Sequence, residues 1–262
     1  MNSGELGPAA KVAREFLTPA PRAASPCRES LFGGEVVWID GPVGKIAVYR
    51  SGEGPAVVFV HGWEGQVGDF ACLIRSSVHA GFQTIALDLP GHGASEGSTV
   101  SIPICAESLL SAERVLGGFH AVVGHSVGSV VAVQAAALGF RAKRMVLIST
   151  PARYEDYARI FCARAGLNSE QTEEMVEMLE AMGANVRSIS IPAIARRLEQ
   201  EALFIHSYDD RVVPLSEGRE SANAWKRGRF LEVDGFGHTR ILGASVVIET
   251  VLKFLSNGIE VS

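Results

Sequence analysis

The chain has 262 residues, 47% of them apolar and 20% charged, with a formal net charge of −5. That balance supports a large buried core and excludes a disordered chain. It leaves no broad basic field for nucleic acid or an anionic membrane, so neither is expected as a partner.

Residues 1–33 form a separate N-terminal extension. Ala9–Leu17 has the pattern of a short amphipathic helix, and Pro19, Pro21 and Pro26 then block any longer regular element. The extension reads as a strap packed on the body, with a lid segment or a dimer contact as alternatives. Beyond it, strands and helices alternate. Glu35–Asp40 and Lys45–Arg50 read as an antiparallel hairpin turned by Gly41 and Gly44. Ala56–His61, Gln83–Asp88, Ala121–His125, Arg144–Ser149, Ala202–His206 and Arg229–Val233 are short apolar runs, as parallel strands covered on both faces require. Helices are predicted over Val67–Ala80, Ile102–Leu116, Val127–Leu138, Ser216–Lys226 and Ile241–Leu255. This is the pattern of a doubly wound, mostly parallel eight-stranded α/β sheet.

One stretch interrupts the alternation. Between Pro151 and Gln200 no strand is evident, and helices are expected over Arg153–Ala165, Glu170–Met182 and Ile191–Leu198. Residues 151–200 are therefore read as an insertion of two or three helices between consecutive strands, with 34–150 and 201–262 forming the core.

The four cysteines, Cys27, Cys72, Cys105 and Cys162, are scattered, with no C-x-x-C pair. They read as reduced thiols of a cytoplasmic protein. No signal peptide is expected from the opening Met1-Asn2-Ser3-Gly4-Glu5, and no apolar run reaches the roughly 18 residues of a membrane span.

The strongest local signal is Gly124-His125-Ser126-Val127-Gly128, a G-x-S-x-G placed between an apolar strand and a small-residue helix. A strand that turns sharply into a helix holds its central residue strained, and the flanking glycines remove side chains that would collide there. Ser126 then projects from the sheet edge. The Val127 N–H at the helix start can donate to a developing oxyanion. His125 adjoins the serine, but neighbours on such a turn point apart, so it reads as scaffold.

With these motifs the chain resembles the α/β-hydrolase superfamily, in the family's order from about residue 35. His61-Gly62-Trp63 is similar to its oxyanion loop, and Asp88-Leu89-Pro90-Gly91-His92-Gly93-Ala94-Ser95 to its D-x-P-G-x-G-x-S loop. Asp210-Arg211-Val212-Val213-Pro214 looks like the loop carrying the acid, Gly237-His238 like the histidine loop, and the inserted residues 151–200 fall where family members carry their helical cap. The resemblance implies Ser126 as nucleophile, His238 as general base and Asp210 as the orienting acid, with Asp209 a turn former or cap beside it. It implies Trp63 N–H as the second oxyanion donor, beside Val127. His61, His92 and His206 fall in loops or at a strand end, and Asp88 is expected to brace its own turn.

Trp63, Glu64, Tyr154 and Tyr157 are candidate substrate-binding residues. Packing is the alternative for the aromatics, and plain solvation for Glu64. Met175, Met178 and Met182 form a stripe at helical spacing, a packing face. No metal-ligand spacing and no phosphate-loop lysine is present, so neither metal nor cofactor is expected. A serine nucleophile argues against the aspartate-dependent dehalogenase and epoxide hydrolase branches. The expected reaction is hydrolysis of a small-molecule carboxylic ester through an acyl-serine. Thioesterase, lactonase and C–C bond hydrolase activities use the same parts, and a ligand receptor on this fold is the non-enzymatic alternative.

Overall fold

The computed structural model describes residues 6–257 apart from 24, 26, 34 and 35. Its centre is one eight-stranded sheet: β1 (Val37–Gly41), β2 (Gly44–Ser51), β3 (Ala56–Val60), β4 (Gln83–Leu87), β5 (Phe119–His125), β6 (Ala142–Ile148), β7 (Glu201–Ser207) and β8 (Gly228–Val233). The order across the sheet is β1-β2-β4-β3-β5-β6-β7-β8. β1 and β2 form the expected antiparallel hairpin, β2 pairs antiparallel with β4, and the remaining pairs are parallel. This is the α/β-hydrolase fold.

The inner parallel strands are apolar on both faces because both are covered, whereas β8, at the edge of the sheet, leaves Arg229 and Glu232 exposed. Val58 and Val60 of β3, Met145 and Leu147 of β6, and Phe204 of β7 enter one core. Val57, Phe59, Val146, Ile148 and Ile205 enter the other. The first core is closed by α4 (Ile102–Leu116), α5 (Val127–Ala137), α8 (Ile191–Ala195) and α9 (Leu215–Ala224). The second is closed by α2 (Cys27–Phe32), α3 (Ala71–His79) and α11 (Ser245–Ser256). α5 is buried on nearly every face, which accounts for its lack of a polar stripe.

Two predicted helices differ and one helix was not predicted. A 3₁₀ turn, Val67–Phe70, precedes α3 where one helix was expected. The last predicted helix is divided: α10 (Gly237–Arg240) runs into a 3₁₀ turn, Ile241–Gly243, and extended Ala244 separates that turn from α11. The six-residue α2 was not expected, since the prolines before it argue only against a longer element. A proline ahead of a helix blocks nothing after it, since the first N–H groups need no intrahelical acceptor. Pro26 itself lies outside the described residues.

Two further helices, α6 (Tyr154–Arg164) and α7 (Ser169–Ala181), form a hairpin beside the carboxyl edge of the sheet. α7 opens with a reciprocal cap in which Asn168 Oδ1 accepts from Gln171 N–H at 2.9 Å and Gln171 Oε1 accepts from Asn168 N–H at 3.0 Å. The base of the excursion is pinched. Tyr154 N–H donates to the Ile189 carbonyl at 3.1 Å, and Ile191 N–H to the Ala152 carbonyl at 2.8 Å. α8, just beyond the pinch, packs into the core through Ile191, Ile194 and Ala195 rather than joining the hairpin. The N-terminal helix α1 (Pro8–Phe16) lies on α6 and α7, through Ala9, Val12 and Ala13 against Ala158, Met175 and Leu179.

All four cysteines are free. Among the described residues no helix is long and apolar enough to cross a membrane.

Phe204 is buried in β7, with its ring 5.7 Å from Trp225 at an edge-on angle. Phe204→Ala is expected to cost about 3–5 kcal/mol of stability, read as a lowered urea midpoint with an unchanged slope.

Candidate active site

The strand order reverses between β3 and β5, so the crevice at their carboxyl ends is a topological switch point. Ser126 stands at the end of β5, at φ 53 and ψ −124, a left-handed conformation costly for a residue with a side chain. The surroundings enforce it. Its N–H donates to the Ile148 carbonyl of β6 at 2.9 Å, and its own carbonyl accepts from Ser129 N–H at 2.9 Å. A Cβ at Gly128 would fall 2.1 Å from the Val60 carbonyl oxygen, and one at Gly124 would fall 2.7 Å from the Gly128 carbonyl oxygen. Both glycines of the motif are therefore spaces that the turn requires.

Ser126 is 8% exposed. It lines a cavity of about 470 Å³ together with His238, Trp63, Val127, Tyr154 and Tyr157. His238 comes from the loop after β8. Its Nδ1–H donates to Asp210 Oδ2 at 2.8 Å, which leaves Nε2 for the cavity. The Asp210 side chain is fully shielded from solvent. Its Oδ1 accepts from Val212 N–H at 2.8 Å and Val213 N–H at 3.0 Å. Its Oδ2 also lies 3.4 Å from His206 Nε2, whose N–H is shared between this carboxylate and the Val213 carbonyl at 3.0 Å. Burial pushes the Asp210 pKa up, but the hydrogen bonds from His206, His238 and Val213 outweigh it and hold the carboxyl well below the usual range.

Asp209 takes a different position. Its Oδ1 accepts from Ser207 Oγ at 2.5 Å and from Gly237 N–H at 2.8 Å, so it fastens the loop carrying His238 without touching the imidazole. The hydroxyl of Ser207 and the Gly237 N–H also lower its pKa. His125 fastens the same loop from below. Its Nε2–H donates to the His238 carbonyl at 2.8 Å, with the two rings 4.8 Å apart. Burial and the neighbouring His238 push the His125 pKa down to about 4, so it stays neutral.

The loop after β3 makes a turn in which Gly65 N–H donates to the Gly62 carbonyl at 3.0 Å, with Glu64 at φ 55. Two histidines set this turn. Glu64 N–H donates to His92 Nε2 at 3.0 Å, and Leu89 N–H donates to His61 Nε2 at 3.0 Å. Burial lowers both, His92 to about 4, which keeps these nitrogens free to accept. Asp88 braces the next turn, accepting from Ala94 N–H at 2.9 Å and the Tyr49 hydroxyl at 3.0 Å. Trp63 therefore sits on a fixed turn and lines the same cavity as Ser126. Val127 N–H opens α5, where no helical carbonyl lies behind it.

The four candidate substrate-binding residues all line the cavity, but two are also engaged elsewhere. Glu64 Oε1 accepts from Ala20 N–H at 3.1 Å, which ties it to the N-terminal extension. The Tyr157 hydroxyl donates to Glu217 at 3.1 Å. Glu217 also accepts from Ala152 N–H at 2.7 Å and so anchors the root of the hairpin. Neither Glu217 nor the cavity residue Phe16 stands out in the sequence, since neither belongs to a local motif. Among the described residues, no three His, Cys, Asp or Glu side chains cluster as a metal-ligand set.

The family model described as "Alpha/beta hydrolase family" matches residues 57–242, which carry all of these loops. The chain belongs to the α/β-hydrolase family. It is similar to a pimeloyl-[acyl-carrier protein] methyl ester esterase of Xanthomonas campestris pv. campestris (strain B100), 27% identical over 78% of this chain and 96% of that protein. A protein of the same name from Chromobacterium violaceum is 30% identical over 65% of this chain and 68% of its own length. The esterase EaEST from Exiguobacterium antarcticum shares the fold, with a TM-score of 0.70 at 15% identity over 85% of this chain and 100% of that one.

The linkage of Asp210 gives a stability prediction. A carboxyl depressed in the folded state stabilises the fold above its unfolded value, about pH 4, and loses that contribution as pH falls toward the folded value. The stability gap between wild type and Asp210→Asn is expected to be widest near neutrality and to narrow below about pH 4. Urea midpoints measured across that range would show it, and a gap independent of pH would contradict it.

Proposed function

We propose that the protein is a serine carboxylesterase, acting on small or medium acyl esters through an acyl-enzyme on Ser126. Hydrolysis of esters as a class rests on the family and on relatives named as esterases. The observation that carries the reaction to particular residues is the Asp210–His238 hydrogen bond of 2.8 Å beside a strained serine in one cavity.

In this reading His238 Nε2 takes the Ser126 proton as Oγ attacks the ester carbonyl. Asp210 fixes the tautomer with the proton on Nδ1 and stabilises the imidazolium that forms. The negative charge on the carbonyl oxygen is met by Val127 N–H, at the positive end of α5, and by Trp63 N–H on the histidine-braced turn. These donors are set before the substrate arrives, so no rearrangement opposes the reaction. His238 then protonates the leaving alcohol, and water reverses the sequence to release the acid. The apolar walls from Tyr154, Val130 and Ile102 suit an alkyl chain, and the cavity volume lies in the usual range for a small-molecule site.

Wild type is expected to turn over p-nitrophenyl esters and to be labelled by a fluorophosphonate at Ser126. Ser126→Ala and His238→Ala should each lower kcat by about 10³-fold or more, because these residues act as a unit. Asp210→Asn should fall by a factor of about 10⁴ through the wrong tautomer. Asp209→Asn should lower activity less, since it holds the loop and not the ring. A folded wild type that the fluorophosphonate never labels would overturn the reading, and a dead Asp209→Asn beside a normal Asp210→Asn would overturn the choice of acid.

A further inference from the structure

The N-terminal extension contributes directly to the cavity. Phe16, the last residue of α1, lines it alongside Ser126 and His238. Its ring stacks on Tyr154 with 5.5 Å between centroids and meets Phe161 edge-on at 5.4 Å. The three rings come from two elements far apart in the chain, α1 and α6, and all three line the cavity that holds Ser126.

The placement of Phe16 is fixed on both sides. Ahead of it, Ala9, Val12 and Ala13 are buried against the α6–α7 hairpin, and Leu17 joins the same apolar cluster just after it. Beyond it, the Leu17 carbonyl accepts from Val100 N–H at 2.8 Å. Ala20 N–H is held by Glu64, Arg22 pairs with Asp69 at 2.9 Å, and Ser25 N–H donates to Gln66 Oε1 at 2.6 Å. Glu64 and Gln66 lie on the loop that carries Trp63, and Asp69 lies in the 3₁₀ turn that follows it. The extension thus joins the aromatic cluster lining the cavity to the segment that follows β3, and it lies wholly outside residues 57–242.

We propose that α1 is a wall of the substrate cavity and that Phe16 limits the length of the apolar chain the cavity admits. This rests on the esterase reading of the Ser126 site and adds its selectivity. A rigid aromatic held between two others yields little to a longer chain, whereas an alanine there leaves room for one.

The test compares Phe16→Ala, Phe16→Trp and Val12→Ala with wild type. Val12 is a control: it is buried against the hairpin and does not line the cavity. Two ester series are used, one lengthening the acyl chain on p-nitrophenol and one lengthening the alcohol on acetate. In one of the series, Phe16→Ala should raise kcat/KM for long relative to short chains by about tenfold or more. Phe16→Trp should shift the same ratio the other way, and Val12→Ala should leave it unchanged. Ratios in both series that move no more in Phe16→Ala than in Val12→Ala would overturn the proposal. Binding of straight-chain fatty acids of graded length to Ser126→Ala protein supplies a readout free of catalysis. If wild type hydrolyses no ester the esterase reading fails, and the wall is then judged by this binding series alone. A length profile that Phe16→Ala leaves unaltered would overturn it.

Discussion

The site depends on a close approach of backbones. Gly128 brings the first turn of α5 against the end of β3, where the Val60 and His61 carbonyls leave no room for a Cβ. That contact lets β5 pass into α5 without an intervening loop. Ser126 is then forced into a left-handed conformation and lifted to the cavity, with the amino end of α5 beside it. A looser joint would let the serine relax and would carry the Val127 N–H away from the same point. The strain is sustained by the hydrogen bonds and packing of β3 and β6 on either side, so the sheet stabilises what the elbow costs.

Around this joint, three loops are locked by histidines that stay neutral. His61 and His92 accept main-chain protons from the loops after β4 and β3, and His125 donates to the loop after β8. Burial disfavours the charged imidazole in each. A neutral imidazole offers one donor and one acceptor, which is what a bridge between two main-chain segments needs. A charged ring would lose its acceptor and would repel the imidazolium of His238. The acidic groups divide the work in a similar way: Asp210 meets the imidazole, Asp209 meets the backbone that presents it, and Asp88 braces the turn after β4.

Much of this was legible in the sequence because it is local. Runs such as Val57-Val58-Phe59-Val60 reveal the inner strands covered on both sides, and Gly41 and Gly44 reveal the hairpin of β1 and β2. Gly124 to Gly128 reveals the elbow because strand, turn and helix are consecutive. What was not legible is tertiary. Nothing near Phe16 or Glu217 marks either as part of the site, since each matters only through a partner more than fifty residues away. The short α2 escaped because a proline-rich segment ends where a helix is free to begin. The division of the last predicted helix escaped because Ile241 to Leu255 keeps its apolar spacing across Ala244, and only the extended backbone there reveals the break.

The pinch below the α6–α7 hairpin has its own consequence. Ala152 and Tyr154 are paired with Ile189 and Ile191, so the chain leaves and re-enters the core through neighbouring points. A segment tied off in this way is a loop closed at its neck. Its contents are decoupled from the alignment of β6 with β7, which are already joined on either side of it. The body of the protein can keep one architecture while the tied-off segment diverges in length and shape, and new specificities can arise there without refolding what lies beneath.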